Sequence, residues 1–108
     1  MDRKYADFAA QEAVRLLDID SPTGYTEAAA EWVKNEFSAL GFEAHTTAKG
    51  GVLVNLGGED ETDALLLEAH TDTLGAMVAE IKGSGRLRLT NLGGMRAENA
   101  EAENLRIR

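Results

Sequence analysis

The stretch LLLEAHTDTLGAMV, residues 65–78, places His70 and Asp72 two positions apart where a long apolar run gives way to a short polar one. Side chains at i and i+2 of an extended segment leave it on the same side, so this imidazole and carboxylate can approach each other. A histidine that ligates a metal needs its other ring nitrogen held by an acceptor, which sets the tautomer and raises basicity, and a carboxylate two residues on can serve. The carboxyl end of a buried strand is also where open α/β sheets form ligand crevices. Two specified residues in three are a short signal, and on the tripeptide alone a polar turn between strands is the more common outcome.

Other candidate groups carry less. His45 falls on the Glu43, His45, Thr47 face of an alternating segment, where a solvated histidine on a strand is the expectation. Glu68 interrupts the apolar run as a buried, paired or edge carboxylate, with nothing further to give it a catalytic role. The acids of GEDETD, residues 58–63, lack the calcium-loop spacing with its central glycine and distal glutamate, and read as a solvated turn. No nucleophile elbow, phosphate-binding loop or dinucleotide fingerprint occurs, and the glycine pairs at 50/51, 57/58 and 93/94 fit turns between strands.

The elements that must position these residues follow from hydrophobic period. Tyr5, Phe8, Ala9, Ala13, Leu16 and Leu17 recur at helical spacing and predict an amphipathic helix over about residues 3–17. It ends before DIDSPTGYT, which holds the single proline. Thr26 is placed to cap a second helix, whose apolar face is Ala29, Trp32, Val33, Phe37 and Leu40 and whose stop is Gly41. The period then changes to two. Strands are expected at about 42–47 and 52–56 as a hairpin around AKGG, followed by a strand over Ala64–Ala69 covered on both faces. AMVAEI and RLRLT read as two half-exposed strands, and RAENAEAENLRIR as a short helix or solvated tail running into a strand without a partner. Burial of Trp32, Phe37, Leu40, Val54 and Leu65 to Leu67 is expected to dominate stability, at about 1.5–3 kcal/mol per large side chain.

Composition excludes several partner classes. The chain has 108 residues, 44% of them hydrophobic, enough for one core and not two. Nineteen acidic against eleven basic residues give a formal charge of -8, which repels a phosphate backbone and leaves little attraction for an anionic membrane. No cysteine is present, so neither a disulfide framework nor a thiolate site forms, as suits a reducing interior. Without a signal-peptide pattern at MDRKYADFAA or an apolar run of spanning length, the expectation is a soluble, cytoplasmic protein with no nucleic-acid or membrane partner.

The order of pieces is more specific than any one of them: a helix, SPTGYTEAAAEWVKNEF, a hairpin, then AHTDTLGAMVAEIKGSGRLRLTNLGG. From about Ser21 to Met95 the chain resembles the opening of the tetrahedral and glutamyl aminopeptidases, co-catalytic dinuclear-metal exopeptidases of which some were formerly labelled endoglucanases. The shared features are His-x-Asp, a following glycine and Met-Val segment, Gly-x-Leu and a closing Gly-Gly. Thr73 and Leu74 depart from the Glu and aliphatic residue common there, which bears on substrate preference.

The resemblance implies an α/β fold, the amino-terminal part of a zinc-exopeptidase-like sandwich with two helices on a mixed sheet over residues 1–81, and the start of an inserted β-rich domain over 82–108. It implies that His70 ligates one of two divalent metals, zinc or cobalt, and that Asp72 orients His70. The bridging aspartate, the general-base glutamate and the remaining ligands are then expected beyond Arg108. The resulting expectation is the amino-terminal portion of a metal-dependent aminopeptidase acting on peptides, homo-oligomeric when complete, with the isolated chain inactive and binding no metal tightly. The alternatives are a related His-x-Asp carboxypeptidase or amide deacylase, which would cleave blocked amines, and a non-catalytic binding or assembly module.

Overall fold

The computed structural model describes residues 2–60 and 62–108. Its elements in chain order are helices α1 (Arg3–Leu17) and α2 (Glu27–Ala39), strands β1 (Ala44–Thr46), β2 (Val52–Val54), β3 (Gly75–Ile81) and β4 (Leu87–Leu92), and a 3-10 turn at Ala97–Ala100. Both helices lie where the apolar period predicts them. The Asp2 side chain caps α1 by accepting from the Lys4 amide at 3.3 Å. Thr26 occupies the same position before α2 without a side-chain cap bond.

Gly41, at φ +91, ends α2 for a definite reason. Its amide donates to the Ser38 carbonyl at 3.0 Å and that of Phe42 to the Phe37 carbonyl at 3.1 Å, the paired bonds of a Schellman ending that needs a left-handed residue. The Phe37 and Phe42 rings meet edge to face at 6.4 Å across this ending, so the chain leaves α2 in a set direction and enters β1.

Strands β1 and β2 form an antiparallel hairpin with His45 opposite Leu53, and α2 packs against both. Ala29, with no exposed surface, and Ala30 are the buried apolar residues among those described, and both lie on α2. Helix α1 joins this layer through Arg15, which donates to Glu12 at 2.9 Å and to Glu36 of α2 at 2.8 Å and lies 5.3 Å from the Trp32 ring. Strands β3 and β4 form a second antiparallel hairpin with a bulge between Val78 and Glu80, closed by a turn at residues 82–86 in which Gly85 adopts φ +80. The expected boundary at 81/82 falls in that turn.

Several expectations need correction. Among the described residues, two separate two-stranded antiparallel sheets stand where one mixed sheet was expected. Residues 64–69 form no strand, and Leu65, Leu66 and Leu67 are 85%, 71% and 75% exposed. Leu40 is also exposed, whereas Trp32, Phe37 and Val54 are half-buried. A parallel strand needs hydrogen-bonded neighbours and helices over both faces, and the described residues bring neither to this segment. Glu68 is exposed for the same reason. Glu61 of the GEDETD run lies outside the described residues.

The dimensions agree with an open arrangement. The chain measures 62 × 34 × 23 Å with a radius of gyration of 18.0 Å, against roughly 13 Å for a compact domain of about this length. Its accessible surface is 9325 Å², against roughly 5,800 Å² for a compact monomer of this mass. No helix among the described residues is long and apolar enough to cross a membrane.

Candidate functional site

The site forms where two segments distant in sequence run side by side. Pro22 and Thr73 make an isolated parallel bridge, and the Thr73 amide donates to the Ser21 carbonyl at 2.8 Å. The first segment turns sharply through residues 22–25, with the Tyr25 amide donating to the Pro22 carbonyl at 2.8 Å and Gly24 at φ +88, a conformation that favours glycine at the third position of such a turn. The second segment carries His70, Asp72 and then Gly75, whose missing Cβ would sit 2.8 Å from the Pro22 Cβ. Glycine at 75 therefore lets the two backbones approach.

His70 and Asp72 meet as their spacing predicts. His70 Nδ1 lies 3.1 Å from Asp72 Oδ1 and 3.1 Å from the Asp72 carbonyl oxygen. Both neighbours are acceptors only, so a neutral imidazole satisfies them by carrying its proton on Nδ1 and donating. That leaves the lone pair on Nε2, on a side chain 85% exposed. Asp72 is held from its other side by the Thr23 hydroxyl, which donates to Oδ2 at 2.7 Å. The Thr23 hydrogen bond and, after it, the neighbouring His70 keep the Asp72 carboxyl below the usual aspartate range, against the opposing effect of desolvation.

These groups border an open cleft of about 370 Å³, walled also by Lys49, the Gly50–Gly51 turn and the Ala30 and Val33 side of α2. Its position explains the local elements: α2 and the β1–β2 hairpin form one wall, and the 70–72 segment the other. His45 does not line it; its side chain is 63% exposed on β1 with Nε2 3.6 Å from Glu43, in keeping with a solvated histidine. Glu68 does not line it either. Thr23 and Lys49 are cleft residues that the pattern of the sequence did not single out. The clue for Thr23 is its place in SPTG, the only proline-bearing turn, but nothing in a separation of 49 residues announces contact with Asp72.

Residues 50–108 match the M42 glutamyl aminopeptidase family. The chain belongs to that family. Among curated proteins it is similar to “Putative aminopeptidase YhfE” of Bacillus subtilis (strain 168), with 39% identity over 92 residues, covering 85% of this chain and 27% of that protein. The chain thus spans about a quarter of the length of the relative it matches. M42 membership places the chain in a family of peptidases, in agreement with the resemblance carried by residues 21–95.

A metal of the kind such peptidases use needs more donors than the described residues bring together. A catalytic zinc takes three protein ligands, and no group of three or more His, Cys, Asp or Glu side chains gathers among the described residues. The chemistry of His70 suits one such ligand: an imidazole with its proton directed to a carboxylate and its lone pair outward.

Proposed function

We propose that this chain forms the amino-terminal portion of a metal-dependent aminopeptidase, with His70 as a ligand to one of two divalent ions and Asp72 as the carboxylate that orients it. The observation that carries the reading is the double acceptor at His70 Nδ1, 3.1 Å from each of two Asp72 oxygens, which leaves Nε2 as a basic lone pair at the edge of a cleft. Family membership and the aminopeptidase name of the relative support it. Zinc or cobalt ions, when bound, supply polarisation of a scissile carbonyl and an activated water.

The chain's own residues have narrower tasks. His70 offers one nitrogen; Asp72 keeps its proton on the opposite nitrogen; Thr23, Lys49 and the Gly50–Gly51 turn shape the approach. Because the match covers 27% of the relative, the remaining ligands and the general base belong in this proposal to parts of the fold outside the match. The isolated chain is then inactive, and residues 82–108 begin the inserted β-rich domain. The complete protein is a homo-oligomer acting on peptides in the cytoplasm.

The test is to transplant residues 21–95 into YhfE in place of its matching segment. Release of free amino-terminal residues from peptides should survive the transplant and be lost with His70→Ala inside it, whereas cleavage of blocked amines would favour the deacylase alternative. The isolated chain should hydrolyse no aminoacyl anilide above background with added zinc or cobalt. Hydrolysis that disappears in His70→Ala would overturn the claim that it is inactive alone.

A further inference from the structure

The SPTG turn makes a contact with the His-x-Asp segment that the proposed metal chemistry does not by itself require. Thr23 Oγ1 and His70 Nδ1 approach different oxygens of one carboxylate, at 2.7 Å on Oδ2 and 3.1 Å on Oδ1. An exposed aspartate with one partner rotates freely about its terminal torsion, whereas one gripped at both oxygens presents each in a set direction. The grip is built into the backbone. The Thr73 amide bonds to Ser21 at 2.8 Å, and the lack of a side chain at Gly75 lets Pro22 approach within what would be 2.8 Å of a Cβ. Gly24 at φ +88 then turns the chain immediately after Thr23. Every part of this arrangement sets the distance between Thr23 and Asp72.

We infer that Thr23 is a positioning residue for His70, acting through Asp72: its hydroxyl locks the carboxylate so that His70 keeps its proton on Nδ1 and its lone pair on Nε2. Gly75 is part of the same device, because it sets how near the turn carrying Thr23 can come. The inference rests on the proposed role of His70 for its functional meaning, but the positioning itself is a property of this chain without metal. Chain connectivity assigns the task to a residue from a turn between two helices, so the imidazole is ordered by the docking of the first half of the chain on the second.

The experiment uses the 108-residue chain labelled with nitrogen-15 at histidine, observed by NMR at one fixed pH of about 8 for every variant, above the ordinary histidine range, with His45 as the internal solvated reference. Wild type should show His70 in the Nδ1–H form. Thr23→Val, which keeps the shape of the side chain and removes the hydroxyl, should move His70 toward the pattern of His45, and Asp72→Asn should move it further. Thr23→Ser should restore the wild-type pattern. Gly75→Ala should reproduce the Thr23→Val shift although it alters no hydrogen-bonding side chain. If Thr23→Val disturbs folding, the Ser and Gly75→Ala variants still decide the matter. A His70 tautomer unchanged in Thr23→Val, or a wild-type His70 indistinguishable from His45, would overturn the inference. Titration with zinc alone of the YhfE transplant, in which the rest of the fold supplies the remaining ligands, separates it from the underlying reading: affinity about tenfold weaker with Thr23→Val, the lower end of the range for partners of ligating histidines, supports both. A shifted tautomer with no zinc effect at His70 in any variant supports the positioning and removes His70 as a ligand.

Discussion

Asp20 shows at a single residue how this chain joins its distant parts. Its carboxylate accepts from Arg106 at 2.9 Å and Arg108 at 2.7 Å, across 86 and 88 residues of sequence. Arg108, and after it Arg106, hold its carboxyl below the usual aspartate range, against desolvation. A group whose folded value is depressed contributes stability that is present above its unfolded value, about 3.9, and is lost as pH falls through the folded value. Docking of residues 105–108 should therefore be intact at neutral pH and released on acidification below the ordinary aspartate range. The NMR signals of the Arg106 and Arg108 guanidinium groups, which make the contact, check this, and Asp20→Asn should move them to the free position at neutral pH. Asp72 follows the same sign, its carboxylate favoured first by Thr23. The His70–Asp72 contact was legible in the sequence because i, i+2 geometry is local. Neither Thr23 on Asp72 nor Asp20 on the two arginines was, since no local rule links residues 49 or 86 apart.

At the scale of elements, α2 is the piece whose burial is most complete. Ala29 and Ala30 are buried on the helix that packs against the β1–β2 hairpin, so Ala29→Leu should lower stability by about 1–3 kcal/mol in urea denaturation, the usual cost of overpacking. The neighbouring Ala28 is exposed on the same helix and should accept leucine within about 0.5 kcal/mol, which separates packing from helix propensity. Both helices, the β1–β2 hairpin and the β3–β4 hairpin follow the predicted periods, because helix and hairpin formation depend on neighbours within a few residues. The Schellman ending at Gly41 is likewise written locally, in a glycine followed by an aromatic residue that packs on the last turn. The Ala64–Ala69 segment failed as a strand for the opposite reason: its pattern states that it suits burial on two faces, but not which residues must supply the cover.

The molecule as a whole leaves much apolar surface in water. Leu65, Leu66, Leu67 and Ile81 are each at least 71% exposed, and the accessible surface exceeds that of a compact monomer by roughly 3,500 Å². Contiguous exposure of this kind promotes association. Light scattering of the 108-residue chain should show species heavier than 11.6 kDa, and Leu65→Ser with Leu67→Ser should reduce them. A strictly monodisperse monomer would contradict this expectation.

Composition, period and motif order by themselves determined the helices, the first hairpin, the two later strands, the His70–Asp72 pair and the family, all of which rest on spacings within a few residues or on a string matched in order. Tertiary structure alone decided that SPTG lies against HTDT, that Thr23 holds Asp72, that Asp20 gathers two arginines and that the leucines of residues 65–67 face solvent. Those outcomes depend on which distant backbones can approach, a matter of steric fit at positions such as Gly75 that no sequence period encodes.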